Sequence, residues 1–243
     1  MIQPSKLTPG NTIGILCPAG AIPLEKVTIC AQVLESWGYQ VRIGKTVGTQ
    51  FGHFAASDLE RQNELQSMMD DPKIHAILCA RGGYGLSRIV SQLDFTKIKA
   101  HPKWVIGFSD ITILHAALQN HGVQSIHGPM SAAFGKGDAG LPYIMALKQM
   151  LEGNAQPVSA NPHPANRLGH SEGVLVGGNL CLMTHLIGSK NQLDTKGKIL
   201  CIEDVGEYHY NVDRMLIQCK NAGILDGLAG LVVGGFTEMK DEA

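Results

Sequence analysis

Three short segments combine residue types and settings that could do chemistry. In Val105-Ile106-Gly107-Phe108-Ser109-Asp110-Ile111-Thr112, a serine stands between an apolar, strand-like run and a helix-like one, with a glycine two positions before it. Such a turn exposes the hydroxyl at the carboxyl end of a strand, where open α/β sheets place their sites. The backbone N–H of Asp110, at the start of the new helix, is placed to donate to a developing oxyanion. The chemistry would be nucleophilic attack on a carbonyl. Ile111 replaces the second glycine of the Gly-x-Ser-x-Gly elbow, and the competing reading is that Ser109 caps the helix.

The second segment, Ala80-Arg81-Gly82-Gly83-Tyr84-Gly85, follows the apolar run ending at Cys79. Glycines let a backbone approach a ligand closely and present bare N–H groups, so this is a donor loop, with the Gly83 N–H as oxyanion partner. A dinucleotide fingerprint fails because Arg88 stands where a third glycine is required. The plainer alternative is a tight turn between strand and helix. The third segment, Ile202-Glu203-Asp204-Val205-Gly206-Glu207, puts carboxylates at the end of a buried strand, where they either cap a helix or serve a site. The 10 histidines, among them His127 and His209, show no ligand-like spacing, so no metal is expected. Any of them could be a general base, and sequence alone places none beside Ser109.

The elements that must position these segments follow a βαβ pattern, in which short β-branched runs alternate with amphipathic helical stretches. Strands are expected at 12–17, 39–43, 74–79, 104–107, 173–176, 198–202 and 228–233. Helices are expected over 24–37, from a Ser57/Glu60 capping box to about 70, over 86–93 and 111–119, from about 179, and over 213–221. Between Gly153 and Ser171 the periodicity lapses into prolines, asparagines and histidines, which reads as a linker. The expected architecture is α/β. An N-terminal domain (1–152) with a Rossmann-like parallel sheet carries Ser109, and a linker (153–171) leads to a smaller α/β domain (172–243). That second domain lacks the closing helix of a finished unit, so the chain is expected to be cut short.

Composition narrows the class. The chain has 243 residues, 20 basic against 21 acidic, and a formal net charge of −1, which gives no footprint for nucleic acid or an anionic membrane. No leader-like start and no long apolar run is present, so a cytoplasmic location is expected. The 6 cysteines are scattered through apolar runs without a CxxC pair, as buried free thiols would be.

Taken in order, Pro9-Gly-Asn-Thr-Ile-Gly-Ile-Leu-Cys-Pro-Ala-Gly20, Ala80 to Gly85, Gly107-Phe-Ser-Asp110, Gly177-Gly-Asn-Leu180 and Ile202 to Glu207 resemble the LD-carboxypeptidases, the muramoyltetrapeptide carboxypeptidase family of serine peptidases. The resemblance implies a Ser-Glu-His triad without metal or cofactor. Ser109 would attack the peptide carbonyl, Glu203 would orient the histidine, and the Gly83 and Asp110 N–H groups would bind the oxyanion. The substrate would be a muropeptide tetrapeptide losing its terminal D-alanine in cell-wall recycling, with a homodimer as the expected assembly. The family's histidine lies in a Gly-His segment beyond the Gly-Gly-Phe-Thr strand, past Ala243. A truncated and poorly active chain is therefore expected, or a substitute base such as His209. Two rivals stand beside this reading. One is the microcin C immunity peptidase of the same family, disfavoured by an aromatic content of 5%. The other is a nucleotide- or sugar-binding module without catalysis.

Overall fold

The computed structural model describes residues 1–241. Its first half is a five-stranded parallel sheet of β1 (Thr12–Leu16), β2 (Gln40–Ile43), β3 (Ala76–Cys79), β4 (Trp104–Gly107) and β5 (Ile126–His127), in the order β2-β1-β3-β4-β5. β3 and β4 are buried at every position, as strands covered by helices on both faces must be. Helices α1 (Leu24–Ser36), α2 (Asp58–Asp70), α3 (Leu86–Ile89), α4 (Thr96–Ala100), α5 (Thr112–Asn120) and α6 (Leu141–Leu151) connect and cover it. This is a doubly wound order whose direction of winding reverses between β1 and β3, where such sheets open a crevice at their carboxyl ends.

The second half holds β6 (Leu175–Asn179), α7 (Leu180–His185), β7 (Ile199–Val205), α8 (His209–Asn221) and β8 (Gly230–Thr237), with a three-stranded parallel sheet in the order β6-β7-β8. Two apolar clusters hold the molecule together. One packs α1 and α6 on one face of the first sheet, through Val27, Leu34, Ile144 and Leu147. The other runs without a break from the opposite face (Leu65, Ile77, Ile113, Leu114) into the second half (Val176, Leu180, Met183, Leu200, Ile202).

Local signals worked where they were strong. Ser57 accepts from the Glu60 N–H while the Glu60 carboxylate accepts from the Ser57 N–H, so the capping box opens α2. Gly38 adopts φ 91° after α1, as a helix-ending glycine does. Several expected boundaries need correcting. β6 starts two residues later than expected and runs to Asn179. β7 reaches Val205, so Glu203 and Asp204 lie inside a strand and cap no helix. α8 begins at His209, not 213. The stretch 86–93 is a four-residue helix followed by a 3-10 turn. α4, β5 and α6 lacked a readable pattern, being two to five residues long or preceded by 3-10 turns.

Candidate active site

β4 ends at Gly107, where a Cβ would fall 2.7 Å from Ile111 Cγ1, so only glycine lets the chain turn so tightly into α5. Two residues later Ser109 adopts φ 61°, a left-handed conformation costing a side-chain-bearing residue roughly 1–2 kcal/mol. It is half-buried, opens a 3-10 turn over 109–111, and its side chain caps neither that turn nor α5. The helix-cap reading is therefore set aside. A strained serine whose hydroxyl supports no secondary structure is available for chemistry at the sheet's carboxyl edge.

The glycine-rich loop lies directly on this turn. A Cβ on Gly82 would sit 3.1 Å from Ser109 Cβ and Phe108 O and 3.3 Å from Asp110 N. Gly83, at φ 99°, comes next and faces the Cα of Gly20. Two bonds fix the loop: Gly20 N–H donates to Gly82 O (2.8 Å), and Leu86 N–H donates to Asp110 Oδ2 (2.9 Å). Asp110 is 1% exposed, and its Oδ1 has no partner among the described residues. Burial pushes its pKa up to about 6, against the smaller opposing effects of the Leu86 N–H and the Arg61 guanidinium. Arg61 is itself buried, donating to the carbonyls of Ala56, Pro18 and Gly85 and pairing with Asp58, and so ties the β1 and β3 turns together.

The second half approaches through β6 and β7. Asn179 N–H donates to Thr112 Oγ1 (3.1 Å), which joins β6 to the first turn of α5 three residues after Ser109. Asn179 pairs in register with Glu203 on β7. Successive residues of a strand face opposite ways, and the two carboxylates divide accordingly. Asp204 is buried and accepts from Asn179 Nδ2 (2.9 Å), Cys181 N–H (3.0 Å) and Val205 N–H (2.9 Å). Glu203 keeps a buried Oε1 with no hydrogen-bond partner among the described residues. Burial first, and the Asp204 charge second, raise the pKa of Glu203.

His127, at the end of β5, points Nε2 at Glu203 Oε1 from 3.8 Å, beyond hydrogen-bond reach. Burial lowers its pKa, and its ring lies 6.2 Å from that of Phe108. A Cβ on Gly178, at φ 140°, would meet Thr112 Oγ1 at 2.8 Å and His127 Nδ1 at 3.2 Å, so glycine is what lets β6 come this close. The structure thus brings Ser109, Asp110, the Gly82–Gly83 loop and Glu203 to one junction between the two sheets. Sequence reasoning missed Thr112 and Asn179, and it left His127 undistinguished among 10 histidines. A signal for His127 existed, a histidine that follows Ile126 and is itself followed by Gly128-Pro129. His209 is exposed and pairs with Asp241 (2.5 Å), not with Glu203. No group of three or more metal-ligating side chains occurs among the described residues, and no helix there is long and apolar enough to cross a membrane. All six cysteines are free thiols.

Comparison with known proteins bears on this junction. Family models described as the LD-carboxypeptidase N-terminal and C-terminal domains match residues 13–128 and 172–243. A probable murein peptide carboxypeptidase of Bacillus subtilis is 40% identical, over 96% of this chain and 75% of its own length. The murein tetrapeptide carboxypeptidase of Pseudomonas aeruginosa is 30% identical, over 93% and 76%. Among solved structures, the muramoyltetrapeptide carboxypeptidase of Oxalobacter formigenes superposes with a TM-score of 0.82 at 32% identity, covering 94% of this chain and 78% of that one. The microcin C7 self-immunity protein MccF, in complex with glutamyl sulfamoyl guanosine, gives 0.85 at 22% identity, covering 98% and 81%, a likeness of fold.

Proposed function

The chain belongs to the LD-carboxypeptidase family of peptidases, and on that premise we propose that it removes the terminal D-alanine from muropeptide tetrapeptides by serine catalysis. Ser109 Oγ attacks the carbonyl carbon between the L-centre and D-alanine. Its proton passes to the histidine that the family resemblance implies beyond Ala243, with Glu203 fixing the tautomer and orientation of that histidine, and from there to the leaving amine. Water then hydrolyses the acyl-enzyme and restores the serine. The carbonyl oxygen, negative in the tetrahedral intermediate, is held by the Asp110 N–H and the glycine loop, with Gly83 as the second donor.

The observation that carries this reading is the strained Ser109, free of any capping duty, under a glycine loop so close that a Cβ on Gly82 would fall 3.1 Å from Ser109 Cβ. Glu203 supports it as the one of two adjacent carboxylates that keeps a buried oxygen without a hydrogen-bond partner among the described residues. The relatives named for murein peptides support the substrate class. We read 1–152 and 172–243 as the units carrying Ser109 and Glu203, joined by 153–171. We also propose cytoplasmic action in wall recycling and a homodimeric assembly.

The test is Ser109→Ala, followed by D-alanine release from a muramyl tetrapeptide. The expected loss is at least about 10³-fold in kcat, the order seen when a nucleophile is removed and only binding and the oxyanion hole remain. Turnover within tenfold of the parent would remove Ser109 from the mechanism. The same assay with a peptidyl-nucleotide substrate separates the microcin-type alternative, and tight ligand binding without any turnover would favour a binding module.

A further inference from the structure

A carboxypeptidase must recognise a free terminal carboxylate, and neither the serine turn nor Glu203 supplies a positive charge for it. The crevice where the sheet reverses its winding does. A cleft of about 590 Å³ opens there, lined by Gly20, Ile22, Gln50, Arg81, Gly83 and Tyr84 among others, a size suited to a terminal amino-acid residue and its flank. Gly83 borders both this cleft and the loop lying on Ser109, so the cleft adjoins the candidate site directly. Arg81 is exposed to it and sits one residue before Gly82. Its Nη1 donates to Ala21 O at 2.5 Å, which anchors one edge of the guanidinium, and no carboxylate pairs with it among the described residues. Other acidic groups near these turns are engaged. Glu64, which with Arg81 influences Cys17, accepts from the backbone N–H groups of Lys45 and Thr46, and Asp58 is paired to Arg61 and Arg88.

Resting on the carboxypeptidase reading, we infer that Arg81 binds the α-carboxylate of the leaving D-amino acid in the β1–β3 crevice. An arginine presents five N–H donors in a planar fork. With one committed to Ala21, a second edge remains for a two-point bond to a carboxylate. Because Arg81 and Gly82 are consecutive, the same short loop would read the chain end and stabilise the carbonyl oxygen one residue before it. That arrangement restricts attack to the last peptide bond.

The test uses the full chain carrying Ser109→Ala, which keeps the ligand intact, and titration calorimetry with a tetrapeptide ending in D-alanine, as free acid and as C-terminal amide. The acid should bind about 10- to 100-fold more tightly than the amide, the range for a hydrogen bond to a charged group. Adding Arg81→Met should bring the two affinities together by weakening the acid alone, and Arg81→Lys should restore part of the preference. An acid preference unchanged in Arg81→Met overturns the assignment and leaves the proposed function standing. Equal loss of acid and amide binding makes Arg81 structural and overturns it as well. Binding of neither peptide before Arg81 is touched refutes the carboxypeptidase reading and this inference together.

Discussion

Replacing Asp110 by asparagine should change how the stability of this protein depends on pH. An aspartate ordinarily ionises near 3.8, and burial moves Asp110 to about 6 in the folded chain. Between those values the folded state holds a proton that the unfolded chain has released. The contribution of Asp110 to stability is therefore complete below about pH 4 and is withdrawn as pH rises through 6. A shift of roughly 2 pH units at 1.36 kcal/mol each amounts to about 3 kcal/mol, meaningful for a side chain 1% exposed. Asparagine cannot ionise. Its carbonyl can still accept from the Leu86 N–H, while its amide would meet the space around Oδ1, which has no partner, at a cost of about 1–3 kcal/mol at every pH. Urea unfolding of both proteins from pH 4 to 8 isolates the effect, because the constant cost drops out of the difference. Relative to the parent, Asp110→Asn should gain about 3 kcal/mol between pH 4 and 7.5. Parallel curves would mean that Asp110 ionises normally in the fold, and the account of a carboxyl group desolvated beside the serine turn would fall.

Two further changes address the site itself. Gly82→Ala places a Cβ 3.1 Å from both Ser109 Cβ and the Phe108 carbonyl, so the loop must retreat; kcat should fall about 10²- to 10³-fold, as when one oxyanion donor is lost, with KM moving far less, and unchanged steady-state kinetics would count against this loop as the oxyanion site. Glu203→Gln should lower kcat/KM by about 10⁴-fold, the order of loss when an amide in place of the triad carboxylate leaves the histidine in the wrong tautomer; a kcat/KM within tenfold of the parent would remove Glu203 from the triad.

The alternation of apolar runs was enough to foresee a parallel α/β fold, because β1, β3 and β4 are buried on both faces and carry continuous β-branched or aliphatic runs. Ser109 and the stretch Arg81 to Gly85 were legible as candidates because each follows a strand at a turn, and Glu203 because a carboxylate after an apolar run stands out, although it lies inside β7. What sequence could not show is the joint between the halves. The bond from Asn179 N–H to Thr112 Oγ1 spans 67 positions, and a threonine and an asparagine leave no periodic trace. The conformation of Ser109 was equally hidden, since a positive φ at a residue other than glycine is imposed by its surroundings, here Gly107, Ile111 and Gly82. β7 was read too short because a strand carrying Glu203 and Asp204 near its end looks like a loop until the partners of Asp204 are seen.

The apolar cluster that continues from α5 into β6, α7 and β7 also bears on motion. Parting the two sheets would strip cover from Val176, Leu180, Met183 and Ile202, each worth about 1.5–3 kcal/mol when fully buried. Even half of that total, on the order of 5 kcal/mol, approaches the stability of an ordinary domain. A clamshell opening at this junction would accordingly be nearly as rare as unfolding. The junction between the sheets is therefore formed when the chain folds, and on the proposed mechanism Ser109 and Glu203 would need no assembly entropy from substrate binding.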